Sequence, residues 1–489
     1  MTVVIDRKGP VSVADRARAK NEAPTGLYKP RVPIYPKNTR GPWRTIKWAL
    51  LIATLAVYYV TPWIRFDRPG DLPDQAVLVD FEHGRFYFFW IHLWPQEVFF
   101  VTGLLVMAAL GLFLVSAMFG RLWCGYACPQ TVWTDLFLFV ERVFEGERNA
   151  HMRRDQGPLT FEKVWRKTAK HAFWLAVAFA TGGAWIFYFR DAPTLLREFW
   201  MGQAPMTSYV SCALLTFTTY VFAGHMREQV CEYLCPWPRI QSAMVDAETL
   251  QVTYRYDRGE PRGPHKKGAT WEGRGDCIDC NACVVVCPMG IDIRNGPQLE
   301  CINCGLCIDA CNEMMARIER PRNLIAFDTD QAVKARSEGQ QPKYRLFRTR
   351  TQFYAVLLGV VSVLMIWGLI TRPSADLHLL HDRNPTFVRL ADGSVRNGYT
   401  LKITNRQFEA RRFVLSVEGL PGLELRMVGG PSGSTIAIDA PADAVRTARL
   451  FVIAPPGTAT SEETPLTFRL SGADVSGRST FLVSRDDLP

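Results

Sequence analysis

Five stretches of this chain carry no charged residue and are almost continuously apolar: Trp48–Ile64, Val98–Gly120, Ala172–Phe189, Phe199–Gly224 and Thr351–Thr371. As helices they are long enough, or nearly so, to cross about 30 Å of hydrocarbon. One such run is compatible with a buried core helix, but five together predict an integral membrane protein of about five spans. Beyond Arg372 the period shortens to two. In YTLKIT, Tyr399, Leu401 and Ile403 share one side, and in FVLSV so do Phe413, Leu415 and Val417. LELRMV, STIAID, RLFVIA, LTFRL and STFLVS continue the alternation between Gly, Pro and Asn. About eight short strands over residues 374–489 predict an antiparallel, all-β sandwich, Ig-like but without the disulfide.

Between these regions the pattern gives a domain plan. Residues 1–45 form a basic, Pro-containing arm, and 46–256 a four-span membrane domain. The Gly/Pro-rich 257–275 reads as a linker, 276–327 as a compact cysteine-rich unit, 328–350 as a second linker and 351–371 as the fifth span. The expected fold is thus an α-helical membrane protein with an inserted α+β unit and a terminal β-sandwich.

Charge orients the plan. Residues 1–44 hold ten Lys/Arg against three Asp/Glu, and Arg121–Lys170 holds nine Lys/Arg, whereas Arg190–Glu198 has two. The positive-inside rule puts the arm and the cysteine-rich unit in the cytoplasm and the β-domain outside a bacterial inner membrane. No apolar stretch follows the first charges, so no cleavable signal peptide is expected. The net charge of +10 over 489 residues is accounted for by topology, and no base-reading motif suggests a nucleic-acid partner.

The cysteines carry the chemistry. CIDCNACVVVCP (277–288) and CINCGLCIDACN (301–312) both follow C-x₂-C-x₂-C-x₃-C. A cubane cluster needs four converging thiolates; one short loop supplies three, and in two-cluster ferredoxins the fourth serves the other cube. The spacing therefore assigns Cys277, Cys280, Cys283 and Cys311 to one [4Fe–4S] cluster, and Cys301, Cys304, Cys307 and Cys287 to a second. Zinc sites take four ligands in pairs rather than two runs of four, and disulfides are rare in a reducing cytoplasm. Asn312 stands where a proline usually follows the fourth cysteine; Pro288 is present.

Four more thiols recur as a pair of pairs, Cys124 and Cys128 in WCGYACP, and Cys231 and Cys235 in VCEYLCP. Each pair follows a span and ends in a proline, as in an internal duplication. Cysteines four apart share a helix face, and the following proline breaks that helix at the cytoplasmic interface. No C-x-x-C-H haem site exists, which leaves a soft metal such as Cu(I), a redox disulfide or further cluster ligation. Cys212 reads as packing within a span, and His92, His225, His378 and His381 as isolated side chains. GGPSGS in the tail reads as a turn, and no nucleotide or flavin motif occurs.

Paired CxxxCP motifs, a two-cluster ferredoxin unit, one more span and an outer β-domain together resemble the CcoG/FixG family, accessory proteins of cbb-type cytochrome c oxidase assembly. The tail RNPTFVRLADGSVRNGYTLKITN is similar to the family's C-terminal domain. The resemblance implies a membrane cupric reductase supplying Cu(I) to the oxidase, with Cys124, Cys128, Cys231 and Cys235 as copper-handling, catalytic thiols. It also implies an unidentified cytoplasmic electron donor, and oxidase-assembly or copper-delivery proteins as partners. Two other readings stay open: an electron conduit to a quinone or partner complex without copper chemistry, and a non-enzymatic assembly factor with structural clusters.

Overall fold

A computed structural model of the chain describes residues 33–68, 72–265, 268 and 270–485, with the backbone of two short paired strands, Val3–Asp6 and Gly9–Ser12. Most of the arm expected over residues 1–45 lies outside them. The chain divides into two compact units, residues 1–66 with 74–365 and residues 67–73 with 366–489.

The first unit opens with α1 (Pro42–Val60), then a three-stranded antiparallel sheet of β1 (Val77–Asp80), β2 (Arg85–Phe88) and β3 (Ile91–Leu93). Next come α2 (Val98–Phe119), the short α3 (Leu122–Tyr126), α4 (Pro129–Glu145), α5 (Arg148–Gln156), α6 (Phe161–Ile186), α7 (Ala192–Trp200) and α8 (Met206–Thr219). α8 runs into a π-helical turn, Tyr220–Met226, and a second one covers Val230–Leu234 before α9 (Trp237–Met244). Among the described residues, four helices are long and apolar enough to cross a membrane: Pro42–Trp63, Pro95–Phe119, Met206–Met226 and Thr349–Ile370. The remaining uncharged run occupies the second half of α6. The first half carries Glu162, Lys163, Arg166, Lys167 and Lys170, so the apolar half is about 24 Å long at 1.5 Å per residue. Phe187, Tyr188 and Phe189 extend it by one turn.

The cysteine-rich unit is built on a two-stranded antiparallel sheet, β4 (Gln251–Tyr254) with β5 (Ile325–Asp328). Its sheet thus begins before residues 257–275, the stretch read as a linker, and Gly263 N there bonds Cys277 O at 3.1 Å. Two cysteine loops and their helices, α10 (Ala282–Val285) and α11 (Leu306–Arg317), lie between the strands; α12 (Asp330–Ser337) and α13 (Thr349–Ile370) follow.

The second unit is the expected β-sandwich. One sheet has the order β10–β9–β12–β7–β6, formed by β6 (Ala375–His381), β7 (Val395–Asn405), β9 (Glu424–Met427), β10 (Ser432–Gly433) and β12 (Ala444–Ala454), with Val388–Arg389 pairing β7. The other has the order β11–β8–β13–β14, formed by β8 (Arg411–Glu418), β11 (Thr435–Ala440), β13 (Glu463–Ser471) and β14 (Val475–Leu482). Tyr399, Leu401, Ile403, Phe413 and Leu415 are fully buried in the shared core, with Val417 partly buried against it. His381 bonds Asn397 and His378 lies beside Asp376, so both are accounted for locally.

Candidate functional site

The two ferredoxin loops adopt the same backbone twice. Asp279 and Asn281 in the first, and Asn303 and Gly305 in the second, all have left-handed φ, between 53° and 73°. Asn and Asp tolerate that region and glycine enters it freely, so each loop can curl back around its cysteines. Arg294 braces the first loop, donating to Asp279 and Asn281 at 2.5 Å and to Asp292. Asn312, in the place of the usual proline, bonds the backbone N–H of Asn323 at 2.6 Å and its side chain at 3.2 Å, and so fixes the turn by side-chain bonding.

Two cavities result. One, of about 340 Å³, is lined by Cys277, Cys280, Cys283 and Cys311 with Tyr254, Leu324 and Ile325. The other, of about 360 Å³, is lined by Cys287, Cys301, Cys304 and Cys307, with Cys283 at the wall between them. Each cavity thus gathers the first three cysteines of one run with the last cysteine of the other. None of the thirteen cysteines, all among the described residues, forms a disulfide. A tetrahedral zinc with Zn–S of about 2.3 Å would hold its sulfurs roughly 3.8 Å apart. Among the described residues no three thiols lie within 4.8 Å of one another, wider than a tetrahedral zinc would hold them. Burial pushes the Cys283 and Cys311 thiols up to about 12 and Cys287 to about 11. Thiols so placed keep their protons until bound iron compensates the charge.

The CxxxCP pairs differ from the single helical face that a four-residue spacing suggests. Cys124 is in α3, but Cys128 is the extended N-cap of α4, whose first residue is Pro129. Cys231 lies in a π-helical turn and Cys235 just past its end, ahead of Pro236. Pro129 is the first residue of α4 and Pro236 caps α9, so in both copies the proline stands at a helix start and prevents a continuous helix. The pairs nonetheless converge, since Cys231 is within electrostatic reach of Cys124, Cys128 and Cys235. Cys124 Sγ donates to Gln241 Oε1 at 3.1 Å, and Gln241 in turn donates to Ser116 at 3.1 Å. Burial raises Cys124 to about 11, with Arg121 opposing, and Cys231 to about 12. The four thiols are gathered without being closed into a single-ion cage.

The first pair lies directly on the second cluster loop. A Cβ at Gly125 would sit 2.5 Å from Ile302 O and 3.1 Å from Cys304 Cα, so only glycine fits. Tyr126 Oη donates to Cys304 O at 2.9 Å, Asn303 Nδ2 to Phe119 O at 3.3 Å, and Arg121 to Leu299 O. Cys124, Ile302, Cys304 and Leu306 share one apolar cluster, with Trp237 and Cys307 against it. A second anchor is Asp309, between Cys307 and Cys311. Its carboxylate accepts the backbone N–H groups of Arg44 (2.8 Å) and Trp43 (3.4 Å) at the start of α1. Gly125, Gln241 and Asp309 had no sequence signal, because each acts on a partner more than a hundred residues away. Cys212 packs with Ile186, Ala192 and Leu195, away from both sites.

The family descriptions that match are "4Fe-4S dicluster domain" over residues 226–330, "4Fe-4S binding domain" over 100–145, which spans the first CxxxCP pair, and "IG-like fold at C-terminal of FixG" over 365–484. Among curated proteins, the chain is 50% identical over 461 residues to Nitrogen fixation protein FixG of Rhizobium meliloti, covering 88% of each chain. It is 52% identical to Protein RdxA of Cereibacter sphaeroides, over 91% of this chain and 95% of that one. Protein RdxB of the same organism is 48% identical, over 92% and 95%. Membrane helices, iron–sulfur thiol sets, the β-sandwich and this identity over nearly the full length agree: the chain belongs to the FixG family of iron–sulfur redox proteins.

Proposed function

We propose that the chain is a membrane cupric reductase that supplies Cu(I) for assembly of a cbb-type cytochrome c oxidase. Cys277, Cys280, Cys283 and Cys311 would hold one [4Fe–4S] cluster, and Cys287, Cys301, Cys304 and Cys307 the other; when bound, each supplies one-electron storage. The observation that carries the reading is the contact of Gly125 with the backbone of Ile302 and Cys304, which sets Cys124 against the second cavity. Cu(II) is the substrate, accepting one electron per ion. Cys124, Cys128, Cys231 and Cys235 would retain the soft Cu(I) product, since thiolates favour it over the borderline Cu(II). Two reduced clusters correspond to two Cu(I) per chain. The orientation in this reading is N-terminus and ferredoxin unit inside, fed by a cytoplasmic donor, with the β-sandwich outside as the docking surface for oxidase-assembly or copper-delivery proteins.

The test uses full-length protein, purified anaerobically, with reduced clusters, Cu(II) and a Cu(I)-specific chelator. Changing Cys124 and Cys128, or Cys231 and Cys235, to Ser should abolish Cu(I) formation while sparing the iron–sulfur spectrum. Normal Cu(I) formation by both double variants would overturn the assignment and favour an electron conduit to another acceptor.

A further inference from the structure

Residues 257–275 read as a linker, yet they fold against the first cluster loop. Gly263 N donates to Cys277 O at 3.1 Å, Gly275 N to Pro261 O at 3.1 Å and Asp276 N to Arg258 O at 3.0 Å. This loop and the segment after α11 are basic. Residues 258–276 and 317–322 together hold eight Lys/Arg against four Asp/Glu, while the cluster segment 277–311 holds one against four. Of those four carboxylates, Asp279 and Asp292 pair with Arg294, and Asp309 caps α1.

The two cavities are unequally covered. Among the eight cluster cysteines, Cys280 is the exposed one. The second cavity is screened by Cys124 and Trp237, and by Trp43, whose ring a Cβ at Gly305 would meet at 3.1 Å. Cys283 lines both cavities and so joins an open first site to a covered second one. A simple account of the arginines is compensation of the first cluster's negative charge. It serves for Arg258 and Arg320, which both bind the buried Asp276 carboxylate, at 2.8 and 2.6 Å. It leaves Trp271 unexplained. That ring lies 4.8 Å from the Arg320 guanidinium and stacks on His265 at 4.0 Å, between exposed Thr270 and Glu272, and lines neither cavity. Arg322 is likewise exposed, and its carbonyl accepts from Arg258 at 3.0 Å. Cys311 lies within electrostatic reach of both Arg258 and Cys280, which ties this rim to the exposed thiol.

We propose that the face formed by Cys280, Trp271, Arg258, Arg320 and Arg322 docks an acidic one-electron carrier protein, and that electrons enter the chain at the first thiol set. Tryptophan and arginine are the residues on which binding energy concentrates. Redox encounters are small, and opposite charge steers them. The carrier is oxidised by one electron and the cluster of Cys277, Cys280, Cys283 and Cys311 is reduced by one. The shared wall at Cys283 leads from there to the second set, beside Cys124. The proposal rests on the reading above in taking both clusters as electron carriers.

The test uses full-length protein with oxidised clusters and no copper, mixed with reduced flavodoxin or with a reduced acidic [2Fe–2S] ferredoxin. Stopped-flow absorbance reads reduction of the clusters, and flavodoxin hydroquinone should become semiquinone in step with it. The rate should fall about tenfold or more as salt screens the encounter. Trp271→Ala and Arg322→Glu should each slow it about tenfold. Arg469→Glu, the same charge change at an exposed position of the β-sandwich, should not. The iron–sulfur spectrum checks that each variant holds its clusters. Wild-type rates in both Trp271→Ala and Arg322→Glu, equal slowing by Arg469→Glu, or no salt-dependent reduction by either carrier overturns the face. Should a variant lose its clusters, hydrogen exchange of the wild-type protein with oxidised flavodoxin decides. Protection over residues 258–281 supports the face, and protection elsewhere or none overturns it. Copper separates the two proposals. Wild-type protein reduced with dithionite that forms no Cu(I), while the carriers reduce it as expected, removes the reductase and leaves the face. Cu(I) formation after dithionite, with wild-type carrier rates in the face variants, removes the face and leaves the reductase.

Discussion

The contact at Gly125 admits a sharp perturbation. In Gly125→Ala the added carbon would stand 2.5 Å from Ile302 O, with Cys304 Cα and N at 3.1 and 3.2 Å. Ordinary contact begins at 3.4 Å, so the α3 backbone and the 302–304 loop must part by about 0.9 Å. All three obstacles are backbone atoms and cannot swing aside as a side chain would. Overpacking of this kind costs about 1–3 kcal/mol, and a displacement near 1 Å at a reacting site costs on the order of 10²-fold in rate. The expected phenotype is therefore a folded protein with both clusters present and a Cu(II)-dependent cluster reoxidation slowed by about that factor. Stopped-flow absorbance of reduced, anaerobic protein mixed with Cu(II) measures it directly. Gly183→Ala in α6, whose Cβ meets nothing within 4 Å, is the matched control and should behave as wild type. Wild-type reoxidation in Gly125→Ala, with its clusters intact, would refute the route from the second cavity to Cys124.

Two further outcomes follow from the same geometry. Cys287→Ser should damage only the cluster whose other ligands are Cys301, Cys304 and Cys307; spectroscopic loss confined to the cluster of Cys277, Cys280 and Cys283 would break the crossed assignment. Burial, reinforced by Asp328, raises Asp330 from 3.8 to about 6, so the folded state holds that proton more tightly than the unfolded one. Its ionisation then destabilises the fold as pH rises from about 4 through 6, and Asp330→Asn should add about 1–3 kcal/mol at pH 7.5 but nothing near pH 4. Equal gains at both pH values in thermal unfolding would contradict this.

What the sequence made legible is what depends on neighbours in the chain. The first three cysteines of each run face one cavity because loop geometry is local, whereas the fourth lines the other cavity through packing between the runs. The alternation in 399–403 and 413–417 identified an inward face because a strand's period is two. The helix containing Ala172–Phe189 was less legible, since its charged first half continues the same helix without a boundary. The convergence of His151, His171 and His225 on one cavity was invisible. Each histidine is solitary in its own element, and only the packing of α5 and α6 with the π-helical turn brings them together. The CxxxCP pairs misled in one respect, because a four-residue spacing suggests one helix and the prolines divide it into two.

Asp309 has a consequence for how the protein is made. The peptide groups it caps belong to Trp43 and Arg44, 265 residues earlier in the Arg44 case. At about 5–20 residues per second, the ribosome needs roughly 13–53 s to go from one to the other. Through that interval the first span lies in the bilayer with its leading amides lacking this acceptor. The carboxylate that completes them arrives on α11, between Cys307, which lines one cavity, and Cys311, which lines the other. The expected consequence is that completion of the first span waits on the cysteine-rich unit, so chains made under iron starvation should be degraded faster than iron-replete ones, as pulse-chase labelling would measure.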